Sequence, residues 1–226
     1  VQAAAKIVIE PIFEADFLPC SFGFRPKRGQ HDALQVLINE AWGGRRWVLE
    51  SDVANCFEAI PHSGLMSAIE ERIVDRQVLK LLRAMLRAGV MEDQAVTRSD
   101  AGTPQGGVIS PLLANVYLHY VLDDWFAREV QPRLGGQAFL IRYADDFVMV
   151  FANEADARRV FEVLPKRFEK YGLKLHPDKT RLVPFAGPGR PERGSQEPDD
   201  RPGTFDFLGF THYWGTSRKG NAVVMR

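Results

Sequence analysis

The chain has 226 residues, enough for one large domain or two small ones with a substantial hydrophobic core. Lys plus Arg and Asp plus Glu both number 29, so the net charge by itself does not indicate a nucleic-acid partner. Two cysteines, Cys20 and Cys56, do not provide a disulfide framework and favour a reducing compartment. No apolar run approaches the roughly 18 residues that a membrane helix needs, and no secretory signal opens the chain. We therefore expect a cytoplasmic protein without a membrane partner.

The first half of the chain predicts mainly helices. The pattern of residues 2–15 begins in the middle of an amphipathic helix, without Met or a capping residue, so we expect a piece of a longer protein. Trp47, Leu49 and Val53 share one face at period two, which indicates a strand with Asp52 at its C-terminal end. The predicted elements here are helices at 2–15, 31–41, from the N-cap Ser63 onward and 76–88, and a strand at 47–53.

The second half alternates strand-like and helix-like segments. Ser110 and Pro111 predict a helix start after the Gly-rich loop 102–107. The stretch 186–203 is rich in Pro, Gly and charge, and it predicts a mobile surface loop to which we assign no role. The predicted elements are a helix from Ser110 to about Arg128, a strand pair at 139–151, a helix at 154–171 and an aromatic hairpin at 205–214. Together the two halves indicate an α+β fold whose antiparallel sheet packs on helices over one face.

The strand pair at 139–151 carries two adjacent carboxylates, Asp145 and Asp146, in an otherwise apolar run. Burying unpaired carboxylates is costly, and divalent cations are the obvious partners for them. Since Ala144-Asp145-Asp146 is the turn-capable point of the run, we predict a tight hairpin with both aspartates at its tip. An ordinary Asp-containing turn is the alternative for this dipeptide taken alone.

Asp52 supplies a third carboxylate. If its strand lies beside the hairpin, Asp52, Asp145 and Asp146 converge at one edge of the sheet. Carboxylate oxygens are hard ligands that bind Mg²⁺. Two such ions can activate an attacking hydroxyl, hold a triphosphate and stabilise a leaving pyrophosphate. The three acids therefore favour phosphoryl-transfer chemistry.

Ordered blocks along the chain resemble those of one enzyme family. Tyr143–Asp146 is similar to the signature of retroelement reverse transcriptases, and Ser51–Phe57 resembles the upstream aspartate motif of the same palm. Gly102–Asn115 closely resembles the version found in bacterial group II intron reverse transcriptase/maturases. Further blocks match in the right order, namely Phe22–Pro26, Leu175–Thr180 and Phe207–Phe210. The resemblance implies a bacterial RNA-directed DNA polymerase that uses an RNA template, a DNA primer and dNTP, with group II intron RNA as a partner.

The resemblance also implies a domain organisation. Residues 1–46 would form part of the fingers, and residues 47–226 the polymerase palm, which includes a primer-grip-like hairpin at 204–214. The thumb and the basic finger segment that grips the triphosphate would lie outside the chain. Glu58 stands where the family more often has Asp, away from the metals.

Two Mg²⁺ ions, which Mn²⁺ can replace, are implied by the resemblance. Asp52 and Asp145 would be metal ligands, joined by the carbonyl of Val53, and Asp146 would be a more peripheral carboxylate near the primer end. Lys179 would be the general acid for the departing pyrophosphate, because a cation there stabilises developing negative charge. A solvated turn lysine is the alternative.

A second group of residues is assigned to the nucleotide. Phe57 would block a ribose 2′-OH, with plain core packing as the alternative. The Gln105 amide, both donor and acceptor, would contact the incoming nucleotide or the template base, or would merely brace the Gly-rich loop. The full set implied by the resemblance is Val53, Ala54, Asn55, Phe57, Gln105 and Gly106.

The template and the primer are assigned to two other segments. Arg25, Lys27 and Arg28 would meet template phosphate, although a solvated basic loop explains them as well. The primer strand would be supported by Phe207, Leu208 and Gly209, although aromatic strand residues are usually core.

Other function classes stay open. One is a non-enzymatic, RNA-binding maturase module that aids intron splicing, but the intact acids Asp52, Asp145 and Asp146 count against a purely structural role. A palm-fold nucleotidyl cyclase is disfavoured because its Gly-Gly-acidic-acidic-Phe hairpin is absent. A related bacterial retroelement enzyme, such as one adapted for CRISPR adaptation or defence, is also compatible with these blocks. The sequence does not determine the oligomeric state.

Overall fold

The computed structural model describes residues 1–42, 46–87, 90–92, 95–97, 100–103, 107–185, 203–218 and 222–225. Its helices are α1 (Gln2–Glu14), α2 (Gln30–Trp42), α3 (Cys56–Ala59), α4 (His62–Glu70), α5 (Arg76–Arg87), α6 (Ser110–Leu118) and α7 (Glu154–Lys170). Its strands are β1 (Trp47–Asp52), β2 (Val90–Glu92), β3 (Ala95–Thr97), β4 (Ala138–Tyr143), β5 (Asp146–Phe151), β6 (Arg181–Pro184), β7 (Phe205–Phe207), β8 (Phe210–Thr216) and β9 (Ala222–Met225). Helix α6 continues into two π-helical turns, His119–Asp123 and Phe126–Val130. Among the described helices, none combines the length and the apolar character that crossing a membrane requires.

A four-stranded antiparallel sheet of order β4-β5-β1-β6 forms the core of the fold. Leu49 of β1 and Leu140 of β4 both pair with Met149, one from each side of β5. Strands β4 and β5 are joined by a tight turn, whereas β1 enters between β5 and β6 from much earlier in the chain. This arrangement confirms the predicted α+β fold with an antiparallel sheet.

Both faces of this sheet are covered, so the prediction of helices over one face is incomplete. Phe147 and Met149 of β5 belong to one core cluster with buried residues of α1 and of α4 to α7. Val148 and Val150 point the other way and pack with α2 and β7. The near-continuous apolar run of β5 is typical of a strand buried on both faces. Each such side chain contributes about 1.5–3 kcal/mol when fully buried.

Two helix starts differ from the prediction. Pro61 is the N-cap of α4, and Ser63 already lies inside the helix. Ile109 precedes α6, whose first residue is Ser110, and Pro111 lies in its first turn as predicted. Neither N-cap residue makes a side-chain capping hydrogen bond, because the Pro61 and Ile109 side chains carry no acceptor. The predicted loop at 186–203 lies outside the described residues except for Gly203.

Candidate active site

The acidic site lies at one end of the central sheet. Asp52, the last residue of β1, pairs directly with Asp146, the first residue of β5. Directly opposed residues on antiparallel strands have Cα atoms about 4.5–5.5 Å apart and side chains on one face. The Val53 amide donates to the Asp145 carbonyl at 3.3 Å. The structure thus brings the three predicted acidic residues together.

The hairpin turn consists of Ala144 and Asp145. The prediction that both aspartates lie at the tip is wrong for Asp146, because Asp146 pairs with Tyr143 as part of β5. Ala144 has φ of 58°, in the left-handed region that L residues such as Ala rarely adopt. The turn therefore needs support from its surroundings to keep this conformation.

Burial and neighbouring charge set the ionisation of the site. Burial raises the pKa of Asp146 to about 6, although the hydrogen bond from the Leu208 amide opposes it. Burial also raises the pKa of Asp145, and the charge of Asp52 acts in the same direction. The Lys179 ammonium is hydrogen-bonded to Oδ2 of Asp52, which raises the pKa of Lys179. The carboxylate charges are thus only partly balanced by this lysine.

These residues fit a divalent cation that is shared with a substrate. The raised pKa values of Asp145 and Asp146 mean that added positive charge would stabilise both carboxylates. Within the described part of the chain, no three His, Cys, Asp or Glu side chains are arranged to hold an ion by themselves. Mg²⁺ usually binds one or two carboxylates, keeps several waters and completes its shell with substrate phosphates. The donor set suits that kind of site better than a closed protein cage.

A cavity of about 590 Å³ opens on one side of the acids. Phe57 lines this cavity and also packs against the core, so both of its predicted roles are compatible with its position. Asn55 is the N-cap of α3, has φ of 48°, and is exposed at the wall of this cavity. Several residues that the sequence assigned to the site line this cavity, namely Asp52, Val53, Ala54, Asn55, Phe57, Asp145 and Lys179. Gln105 and Gly106, also assigned to the nucleotide, lie outside the described residues.

A second cavity of about 650 Å³ shares Asp52, Asp145 and Lys179 with the first. The turn between β7 and β8 forms part of its wall, and the Leu208 amide donates to Oδ2 of Asp146 at 3.0 Å. The Phe207 side chain is buried in the core cluster next to α2. Of the residues assigned to the primer, Leu208 and Gly209 form the turn at the wall of this cavity, next to the acids. The buried Phe207 side chain attaches this turn to the core.

The basic loop assigned to template phosphate is not brought to the acids. Arg25 is buried, and its guanidinium is taken up by the Glu14 carboxylate and by the carbonyls of Leu18 and Ser21. This internal pairing argues against a phosphate contact for Arg25. Arg28 donates to the Pro19 carbonyl, and Lys27 is exposed. Among the described residues, none of the three basic residues lines either cavity.

Two charged residues near the acids, Glu50 and Arg142, have no role among those expected from the sequence. Glu50 of β1 is buried, is paired with Arg181, and accepts a 2.6 Å hydrogen bond from the Asp206 amide. Arg142 of β4 is fully buried behind the hairpin turn. Arg142 is the one charged residue of β4, and this was the available signal, because a buried charge requires a partner from another element. Glu50 shares β1 with Asp52, so its signal was weaker.

A family model described as "Reverse transcriptase (RNA-dependent DNA polymerase)" matches residues 1–212 of the chain. Group II intron-encoded protein LtrA of Lactococcus lactis subsp. cremoris is 43% identical over 119 residues, which cover 53% of this chain and 20% of LtrA. Protein YkfC of Escherichia coli (strain K12) is 34% identical over 215 residues, covering 80% of this chain and 56% of YkfC. Nuclear intron maturase 4, mitochondrial, of Arabidopsis thaliana is 32% identical over 119 residues, covering 52% of this chain and 15% of that protein. The chain thus spans about a fifth of LtrA and little more than half of YkfC.

The fold is similar to that of solved telomerase structures. Apo telomerase of Candida tropicalis, truncated from its C-terminal domain, matches with a TM-score of 0.68 over 93% of this chain and 43% of that structure. The sequences are 11% identical, so this likeness concerns the fold alone.

Proposed function

The chain belongs to the reverse transcriptase family, and on that premise we propose that it forms the palm and part of the fingers of an RNA-directed DNA polymerase from a group II intron-type element. The observation that carries the proposal is the direct pairing of Asp52 with Asp146, next to Asp145. In this assignment residues 1–46 belong to the fingers and residues 47–226 to the palm. The proposed partners are an RNA template, a DNA primer, dNTP and group II intron RNA.

The proposed reaction extends a DNA primer by one nucleotide. The primer 3′ hydroxyl loses its proton to solvent, and its oxygen forms a bond to the α-phosphorus of the dNTP while the bond from that phosphorus to pyrophosphate breaks. Two divalent ions, when bound, activate the hydroxyl and neutralise charge on the phosphates. Asp52 and Asp145, with the Val53 carbonyl, would hold these Mg²⁺ or Mn²⁺ ions. Asp146 supports them from the primer side, where the Leu208 amide fixes its carboxylate.

Lys179 serves the leaving pyrophosphate. Its ammonium lies against Asp52, at the junction of the two cavities. A cation at this place stabilises negative charge on the departing oxygen, and its proton can pass to that oxygen.

The two cavities are proposed to take different substrates. The first, with Phe57, Ala54 and Asn55 on its wall, has a volume within the usual range for ligand sites and would receive the dNTP. The second, beside the backbone of Leu208 and Gly209, would receive the primer end. Gln105 and Gly106 are proposed to complete the nucleotide site. Lys27 and Arg28 are proposed to meet template phosphate, whereas Arg25 is not, because its guanidinium is paired inside the protein.

Primer extension by the complete natural protein tests this proposal. A DNA primer on a defined RNA template, with Mg²⁺ or Mn²⁺, should be extended by the unsubstituted protein and by Glu129→Gln, which alters an exposed acid outside both cavities. Asp145→Asn should abolish extension and leave RNA binding intact. Undiminished extension by Asp145→Asn would remove the catalytic assignment.

A maturase module without polymerase activity is the second candidate. It is favoured by the likeness to LtrA and to the Arabidopsis maturase, both named for introns. Intron RNA affinity and splicing, measured on the same preparations, separate the two functions. A protein that binds the intron and promotes splicing but extends no primer would support the maturase module alone.

A further inference from the structure

Arg142 is the fully buried cation behind the hairpin turn, two residues before Ala144. Its guanidinium nitrogens all donate to acceptors within the protein. The acceptors are Asp123 Oδ1 at 2.7 Å, Asp123 Oδ2 at 2.6 Å, Asn115 Oδ1 at 2.8 Å, the Ala144 carbonyl at 2.8 Å and Ser21 Oγ at 2.9 Å. Three segments of the chain therefore meet at one side chain: the loop at Ser21, the continuous helix that carries Asn115 and Asp123, and the hairpin turn.

The pairing with Asp123 keeps this guanidinium charged. Burial acts to lower the pKa of Arg142, but the charge and hydrogen bonds of Asp123 more than offset it, and the pKa is raised overall. A buried ion pair is weak support for stability, since an apolar pair of similar volume often does as well. An apolar residue at 142, however, could not donate to Asn115 and Ala144. The network thus specifies an arrangement of segments.

The loop before α2 is hydrogen-bonded to the backbone of Arg142. The Arg142 amide donates to the Cys20 carbonyl, and the Phe22 amide donates to the Arg142 carbonyl, each at 2.8 Å. The Asn115 side-chain amide donates to the Gly23 carbonyl at 2.8 Å. A Cβ at Gly23 would lie 2.4 Å from the Ala144 nitrogen, so this loop lies directly against the backbone of the turn.

We propose that Arg142, acting through the Ala144 carbonyl, is the positioning residue that holds Asp145 and Asp146 in their active arrangement. This rests on the polymerase function proposed above. Ala144 keeps its left-handed conformation because its carbonyl accepts a hydrogen bond from Arg142 and its amide nitrogen packs against the loop at Gly23. Arg142 does not reach substrate, since it is buried beneath the turn.

The side chain at 142 must be arginine for this purpose. The guanidinium offers several donors in a planar fork, which reach Asp123, Asn115 and Ala144 at once. A lysine keeps the positive charge for Asp123 but presents one ammonium, which cannot reproduce the fork. Arg142→Lys therefore retains the positive charge but removes the planar set of hydrogen-bond donors.

Arg167 provides a matched control. Its guanidinium also donates to backbone carbonyls, those of Val121 at 2.9 Å and Tyr120 at 3.0 Å, in the π-helical segment that carries Asp123. It makes no hydrogen bond to the described residues of the turn. Arg167→Lys thus removes a comparable fork beside the same helix and leaves the turn contacts in place.

The test compares Arg142→Lys and Arg167→Lys in the complete natural protein, at a temperature where circular dichroism shows both folded. Backbone amide exchange is measured on peptides covering 141–150, together with kcat and the KM for dNTP in primer extension. Arg142→Lys should speed exchange in the turn and lower kcat by about 100-fold, as a shift of about 1 Å at a reacting centre can do. The KM for dNTP should change much less, and Arg167→Lys should stay close to the unsubstituted protein in every readout.

Two results would overturn the proposal. One is turn exchange in Arg142→Lys that matches Arg167→Lys, and the other is an equal loss of kcat in both variants. If the unsubstituted protein extends no primer, the polymerase function fails, but the exchange comparison still decides whether Arg142 holds the turn. If Arg142→Lys does not fold, Asn115→Ala, which removes one acceptor of the fork, replaces it with the same expected directions.

Discussion

The Leu208 amide donates a 3.0 Å hydrogen bond to Oδ2 of Asp146, which joins the β7–β8 turn to the acidic end of the central sheet. Leu208 and Gly209 have φ values of 55° and 76°, so the turn is tight and its amide is held in a fixed direction. A carboxylate oriented by a backbone amide is pre-organised for its ligands. The β7–β8 hairpin and the acidic site are therefore coupled, and a substitution in one should change the geometry of the other.

Replacing the Asp146 carboxylate should lower primer extension without lowering the stability of the fold. In Asp146→Asn, the oxygen that accepts from the Leu208 amide is retained, but one of the mutually repelling, half-buried charges is removed. We expect primer extension to fall by about 10²–10³-fold or more, while the unfolding temperature in EDTA stays equal to that of the unsubstituted protein or rises. Steady-state extension and thermal melts check this. A variant that loses activity only in proportion to its unfolded fraction would speak against the catalytic role.

Phe57 should control discrimination against ribonucleotides. Phe57→Ala enlarges the cavity beside Asp52, where the resemblance places the ribose 2′ position. We expect the ratio of kcat/KM for rNTP to that for dNTP to rise by about 10-fold or more, as pocket changes of a few carbon atoms do. Incorporation of single rNTP and dNTP substrates measures the ratio. A loss of stability with an unchanged ratio would assign Phe57 to core packing.

Glu50 should hold the β7–β8 hairpin against the central sheet, because it accepts a hydrogen bond from the Asp206 amide of β7. Glu50→Gln removes the charge that pairs with Arg181 and weakens the acceptor for the Asp206 amide. We expect a loss of about 1–3 kcal/mol of unfolding free energy, toward the lower end because Arg181 is half-exposed. The KM for primer–template should rise while the KM for dNTP does not.

Glu154→Gln is the control for Glu50→Gln. It breaks an exposed i,i+4 pair with Arg158, which is worth a few tenths of a kcal/mol. Denaturant titration and steady-state kinetics are run on both variants. Equal effects of the two substitutions would remove the anchoring role of Glu50.

Gly23→Ala should damage the hairpin turn from the opposite side. Its new Cβ would lie 2.4 Å from the Ala144 nitrogen and 2.9 Å from the Tyr143 carbonyl carbon, both backbone atoms that cannot move cheaply. We expect a destabilisation of about 1–3 kcal/mol and reduced extension. Gly29→Ala is the control, since its nearest neighbour would be Asp32 Oδ2 at 3.7 Å, an ordinary contact. Denaturant unfolding of both variants decides whether close packing at Gly23 is required.

His119 should make the fold less stable in mild acid. Burial lowers the pKa of His119, although Asp123 acts in the opposite direction. The folded state therefore binds fewer protons at this residue than the unfolded state does, in the range just below the ordinary pKa of about 6.5. Stability is fully present above that value and declines as the pH falls through it. The charged groups around the imidazole are Asp16, Asp123, Asp124 and Arg142.

Denaturant unfolding between about pH 7.5 and pH 5 measures this decline. His119→Gln should show a shallower loss of unfolding free energy across the range than the unsubstituted protein. His31→Gln, at an exposed position of α2, should follow the unsubstituted curve. Parallel curves for all three proteins would rule out His119 as the source.

The sequence predicted local features well where one short segment contained the whole signal. The apolar run at 139–151, interrupted by Asp145 and Asp146, indicated a hairpin and a need for positive charge, and both α7 and the β7–β8 hairpin follow their local patterns. The Arg25 assignment failed because the loop pattern does not show that Glu14 and nearby carbonyls enclose its guanidinium. Arg142 was overlooked because its partners lie in other segments.

The residues alone indicated a need for positive charge, since carboxylates set in apolar strands are costly to bury without a partner wherever those strands lie. Only the tertiary structure decided that Asp52 faces Asp146 and that the Arg142 guanidinium donates to the carbonyl of Ala144, in the turn just before Asp146. Strand register and the packing of distant segments depend on the whole set of side chains that must be buried together, and a local pattern carries no record of that choice.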